Sequence, residues 1–113
     1  MYYLGVDLGG MSIKAGVVNE KGEILYSDKV PTGRERYYTH IIKDMADICI
    51  NVVQKAGLNI LEIESIGVGS PGIPNKKAGI LISSNNLNFT NVPIKDELQK
   101  YFDLPVYLDN DAN

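Results

Sequence analysis

Three strand-like runs fill the first thirty residues, with four residues between one run and the next, and this spacing restricts the fold more than any other feature of the chain. YYLGVDL (Tyr2 to Leu8) reads as a strand buried on both faces. GGMS breaks it, and IKAGVV (Ile13 to Val18) is a second strand. NEKG (Asn19 to Gly22) carries the Asn and Gly of a tight hairpin connection. EILYSDKV (Glu23 to Val30) alternates only in part, as an edge strand does. Connections this short admit only antiparallel neighbours, because a parallel pair needs a crossover of a dozen residues or so.

Pro31 to Gly33 closes that unit. A long helix is expected from roughly Arg34 to Ala56. Ile41, Ile42, Met45, Ile48, Cys49, Val52, Val53 and Ala56 fall at the three-four spacing of one buried stripe. Gly57 supplies the stop. IESIGVGS (Ile63 to Ser70) is a fourth strand, which a crossover helix returns parallel into the same sheet. Pro71 to Asn75 reads as a loop, GILISS as a short strand and NNLNFTNVP as irregular. IKDELQKY (Ile94 to Tyr101) is a short amphipathic helix, and LPVYLD (Leu104 to Asp109) a fifth strand. The class is therefore α/β: a mixed five-stranded sheet, three strands antiparallel and then parallel ones, with helices packed on it. The last strand lacks a following element to cover it, so residues 1–113 read as the first domain of a longer protein.

Composition narrows the function classes. Eleven Lys and Arg against fourteen Asp and Glu give a net charge of −3, with no basic patch for nucleic acid. No apolar stretch approaches the ~20 residues that span a bilayer, and no signal peptide precedes the first strand. The single Cys49 excludes an internal disulfide and fits a reducing cytoplasm.

Four segments carry the chemistry. In GVDLGGMSIKAG, Asp7 ends a strand and two glycines follow. Gly9 and Gly10 allow a tight turn with exposed N–H groups, which suits a phosphate; the plain alternative is a β-turn capped by Asp7. GVGSPG (Gly67 to Gly72) matches G-x-G-x-x-G in form, but Pro74 and Gly79 leave no room for the helix that a dinucleotide site needs. It reads instead as a strand end opening into a loop at the carboxyl edge of the sheet, where open α/β sheets bind ligands. SSNNLNF is rich in amides, each a donor and an acceptor suited to sugar hydroxyls, or simply a polar surface loop. DNDAN puts Asp109, Asn110 and Asp111 at a strand end, where a carboxylate can take a proton from an attacking hydroxyl or else cap a helix. His40 is expected to face solvent, the pair Tyr37 and Tyr38 to pack, and Lys14 and the lysines of NKKAG to be solvated.

Taken in order, GVDLGGMSIKAGVVNEKGEIL, IGVGSPGIP, NNLNF with NVP after Thr90, and LPVYLDNDAN resemble the ROK family (repressors, open reading frames, sugar kinases) along the whole chain. The resemblance implies a ribonuclease-H-like domain of the actin and hexokinase ATPase type. It implies a cytoplasmic ATP-dependent hexose kinase, glucose being the default sugar. Asp7 would meet Mg²⁺ through water; Gly9, Gly10, Met11 and Ser12 would line the ATP phosphates. Gly72, Asn86, Asn110 and Asp111 would form the sugar pocket, with Asp111 the general base. The family has Thr where Met11 stands, and losing that hydroxyl removes one phosphate contact, about 1 kcal/mol. The remaining sugar ligands, the adenine pocket and a structural Zn site would lie outside this segment, so the segment alone is expected to be inactive. The full-length protein would be a homodimer.

The resemblance also implies two rivals. One is a sugar-responsive transcription regulator, against which stand the missing basic patch and the absence of room for a helix-turn-helix before the first strand. The other is a catalytically silent sugar-binding module, kept open by Met11.

Overall fold

A computed structural model describes every residue except 85, 86, 88 and 111–113, and of Asn110 only the backbone. The opening runs form the expected meander: β1 (Tyr2–Leu8), β2 (Ser12–Asn19) and β3 (Ile24–Pro31) are antiparallel in sequence order. The β2–β3 turn follows from its residues. The Asn19 side-chain oxygen accepts from the N–H groups of Lys21 and Glu23, and Gly22 takes a left-handed φ of 82°.

Helix α1 (Tyr38–Lys55) buries Ile41, Ile42, Met45, Ile48, Cys49, Val52 and Val53 of the stripe read from the spacing, and Ala46 besides; Ala56, the eighth residue of that stripe, caps the helix end and is only half-buried. It begins four residues later than expected. Gly33 sits at φ 62°, and the Arg36 N–H donates to the Gly33 carbonyl, so residues 33–36 make a turn before the helix starts. Gly57, at φ 78°, ends it: its N–H donates to Gln54 and that of Leu58 to Val53. A 3-10 turn (Ile60–Glu62), capped reciprocally by Asn59 and Glu62, leads into β4 (Ile63–Ser70), which runs parallel to β1.

Three short strands follow: the one expected at GILISS, and two more where the sequence reading had a loop and an irregular segment. β5 (Ile73–Asn75), β6 (Ile80–Ser84) and β7 (Phe89–Val92) form a separate antiparallel sheet. Gly79, at φ 72° with its N–H donating to Asn75, turns β5 into β6. Leu81, Phe89 and Val92 are buried, but strands of three to five residues are too short to display a period. Helix α2 (Ile94–Leu98) is shorter than expected, because Lys100 and Tyr101 bond back three residues and tighten the chain. β8 (Val106–Asn110) then joins β4 in parallel.

The main sheet runs β3-β2-β1-β4-β8, the five-stranded mixed sheet of the sequence reading. Helix α1 packs on β1 to β3 and touches α2, which packs on β8. Leu4, Val6, Leu8, Ile13, Ala15, Val17, Ile66, Val68 and Leu108 turn toward them. β1 is therefore buried on one face rather than two: Gly5 and Asp7 are exposed on the other. That uncovered face holds a shallow depression of about 320 Å³ bordered by Gly5, Asp7, Lys14, Gly16, Ile24 and Gly67.

Candidate functional site

The parallel strands β1, β4 and β8 end on one edge of the sheet, and each delivers a sequence-predicted residue or motif there: Asp7 with the glycine turn, Ser70 leading to Gly72, and Asn110. Carboxyl edges of parallel strands are where open α/β sheets take ligands. Asp7 is exposed on the uncovered face. Its row continues across the sheet, Asp7 beside Gly69 and Gly69 beside Asp109.

The glycine turn after Asp7 is closed by the Gly9 N–H, which donates to the Ser12 carbonyl at 2.9 Å. A Cβ on Gly9 would sit 3.0 Å from that oxygen, so the close approach itself calls for glycine. Thr32, fully buried, fastens the turn from the far side. Its hydroxyl donates to the Gly9 carbonyl at 2.8 Å, and its N–H to the Met11 carbonyl at 3.0 Å. Arg36 in turn donates to the Thr32 carbonyl at 2.7 Å and to Asp44 of α1 at 2.6 Å. The turn is thus tied through Thr32 and Arg36 to the long helix. Sequence reasoning missed Thr32 and Arg36; a threonine between Pro31 and Gly33 was the available signal. The backbone of Met11 is held while its side chain is 87% exposed, so this side chain contributes nothing to the packing of the turn.

Gly72 adopts φ 100°, and a Cβ there would run into the Ser83 carbonyl oxygen. Only glycine lets the chain leaving β4 lie against the backbone of β6. The lysine expected to be solvated at position 76 is largely exposed, and it also reaches Asp109: Lys76 Nζ lies 2.9 Å from Asp109 Oδ1. This ion pair links the β5–β6 hairpin to the strand that carries Asn110. Asn86 and Asp111 lie outside the described residues, as does the side chain of Asn110. His40 is exposed, as expected. Of the tyrosine pair, Tyr38 packs as expected, meeting Phe89 edge-on at 6.5 Å, whereas Tyr37 lies 4.7 Å from the Tyr38 ring and is 65% exposed.

Two residues that the sequence did not single out stand at this edge. Ser70 is fully buried at the end of β4, and Ser84 ends β6 beside Gly72. The hydroxyls of both are enclosed, with no hydrogen-bond partner among the described residues.

An exposed carboxylate beside a turn of glycine backbone suits a hydrated Mg²⁺ with a polyphosphate, since Mg²⁺ keeps most of its waters and takes one or two carboxylates. Among the described residues no three of His, Cys, Asp and Glu stand together as a set for a structural Zn. No described helix is long and apolar enough to cross a membrane.

The ROK family model matches residues 3–113, and the chain belongs to that family. It is 31% identical over 112 residues to a glucokinase of Halalkalibacterium halodurans, covering 99% of this chain and 34% of the relative. It is 33% identical over 114 residues to a xylose repressor of Caldicellulosiruptor bescii, covering 97% of this chain and 28% of the relative. The crystal structure of a ROK family glucokinase from Streptomyces griseus, in complex with glucose and AMPPNP, superposes with a TM-score of 0.88 at 31% identity over 100% of this chain and 34% of that one. The fold is the actin-like ATPase type that the sequence motifs imply. The chain spans about a third of the length of these relatives.

Proposed function

We propose that this chain is the N-terminal ATPase domain of a longer cytoplasmic kinase that transfers the γ-phosphoryl group of ATP to a hexose hydroxyl. The observation that carries the reading is the convergence of Asp7 with its fastened glycine turn, the Gly72 turn and the end of β8 on one edge of one sheet. The turn from Gly9 to Ser12 offers backbone to the phosphates, and Asp7 holds the water shell of Mg²⁺. The metal, when bound, neutralises charge on the β- and γ-phosphates. Gly72, Asn86 and Asn110 seat the sugar. Asp111 takes the proton of the attacking hydroxyl. Positioning and charge neutralisation account for most of the rate in such transfers.

The similarity to a glucokinase bound to glucose and a nucleotide analogue supports glucose as the first sugar to test. The similarity to a xylose repressor supports one second reading, a sugar-responsive regulator on the same fold. The test is a coupled assay of the full-length protein over a panel of hexoses with ATP and Mg²⁺. Turnover with one hexose well above the rest supports the kinase. Sugar binding with no turnover on any of them overturns it in favour of the regulator or a silent binding module.

A further inference from the structure

Buried hydroxyls are almost always hydrogen-bonded, and one left without a partner costs free energy that the fold must supply elsewhere. Among the described residues two such groups stand, Ser70 Oγ and Ser84 Oγ, and both belong to the same small region. Ser70 is two residues before Gly72. A Cβ on Gly72 would sit 3.0 Å from the Cα of Ser84, so the two backbones are in contact there. The two serines therefore stand beside one turn, at the edge where β4 and β8 end. Ser70 shares the inward face of β4 with Ile66 and Val68, a face whose other residues are apolar. Serine at both positions needs a reason other than packing.

We infer that Ser70 and Ser84 are specificity-determining residues for the sugar, their hydroxyls completing their hydrogen bonds to a hexose hydroxyl, directly or through one enclosed water, when sugar is bound beside Gly72. This rests on the sugar-kinase reading. A serine hydroxyl rotates to donate or accept as its partner requires, and a bridging water serves nearly as well as a direct bond. Without sugar, two enclosed hydroxyls lack partners and the region is held at a cost. Binding relieves that cost, so the pocket favours a substrate with a hydroxyl at this edge over one with hydrogen or an alkyl group there. Discrimination of this kind exceeds what an apolar wall achieves, because the rejected analogue leaves buried polar groups unsatisfied.

The experiment uses the full-length protein and its variants Ser70→Ala, Ser84→Ala and the double variant. Two readouts are taken: thermal unfolding without ligand, and the KM and kcat for glucose and for its 3-deoxy and 4-deoxy analogues. The expected result is a higher Tm without sugar, because an unsatisfied hydroxyl has been removed. It comes with a KM for glucose raised about two- to tenfold per variant, and kcat within about twofold. On one deoxyglucose, wild type and variant should then have equal KM, since the partner hydroxyl is already gone. A higher Tm with unchanged KM would mean that the hydroxyls serve no ligand, and a lower Tm with unchanged KM that an enclosed water already satisfies them; either overturns the inference. If wild type phosphorylates no sugar, the kinase reading fails by itself, and the Tm shift produced by glucose alone decides the inference. An equal shift in wild type and variants, or none in wild type, overturns it.

Discussion

Asp7 and Asp109 occupy one row of the sheet and the same uncovered face, two strands apart, with only Gly69 between them. Two strand spacings amount to about 10 Å between the backbones. The glycine leaves the space between the carboxylates free of a side chain, and a hydrated cation with its phosphates is of that size. Asp109 is held to the β5–β6 hairpin by Lys76, whereas Asp7 is exposed at the end of its strand. Of the two, Asp7 is the better placed for a metal shell.

Replacing Asp7 by Asn in the full-length protein keeps the shape of the side chain and removes its charge. Turnover should fall about 10²- to 10³-fold, the usual cost of one electrostatic contact at a reacting phosphate. The drop should be partly recovered at raised Mg²⁺. A coupled assay over a Mg²⁺ series measures this, and turnover equal to wild type at all Mg²⁺ levels removes Asp7 from the site.

Asp111→Asn should cut kcat by about 10²- to 10⁴-fold, the range for loss of a general base, with little change in sugar affinity. Steady-state kinetics with a parallel calorimetric titration of the sugar separates the two effects. A variant that turns over normally would assign the proton to another group.

Gly72→Ala should destabilise the protein by roughly 1–3 kcal/mol or more, because it places a Cβ against the Ser83 carbonyl at a φ that side chains avoid. Its Tm should fall by several degrees. The same substitution at Gly5, where a Cβ would meet nothing within 4 Å, gives the control for a glycine in a strand of this sheet.

Burial pushes the Cys49 thiol from an ordinary 9.0 up to about 12. In the folded protein it should resist alkylation at pH 8 and react on unfolding, since the thiolate is the nucleophile. The sign of the pH effect follows. The folded state holds the proton more tightly than the unfolded state, so this contribution to stability is complete below pH 9 and is lost as pH rises toward 12. Denaturant midpoints across that window should decline for wild type and less steeply for Cys49→Ala.

Lys76→Ala should cost less than about 1 kcal/mol, because both partners of the Lys76–Asp109 pair are more than half exposed and salt screens them. Urea unfolding of the variant at low and high salt measures it. A loss well above that value would mean that the hairpin depends on this contact.

Much of the architecture was legible. The meander, seven of the eight buried positions of α1 and the parallel return of β4 follow from short connections and a clear period. Of the second sheet only β6 showed itself, at GILISS; β5 and β7 are three and four residues long, and their order comes from glycine turns and a few buried side chains. The two-sided burial expected of β1 failed for a different reason. An apolar run tells how hydrophobic a strand is, not which of its faces finds a neighbour, and here Gly5 and Asp7 look out from a face that no described helix covers. Of the candidate residues, Asp7 and Gly9 could be placed at a strand end and its turn because such features leave marks in the sequence, whereas Gly72 was named only through the family resemblance. Thr32, Arg36, Ser70 and Ser84 could not be read, because their part depends on which backbone atoms arrive beside them.

The strand order β3-β2-β1-β4-β8 has a consequence for synthesis. As the chain leaves the ribosome, β2 meets β1, β3 meets β2, β4 meets β1 and β8 meets β4; each newcomer finds its partner already made. None of β2, β3, β4 and β8 needs a partner that is still to be made. Of these five strands, the one bearing Asn110 is the last to pair, onto four already made.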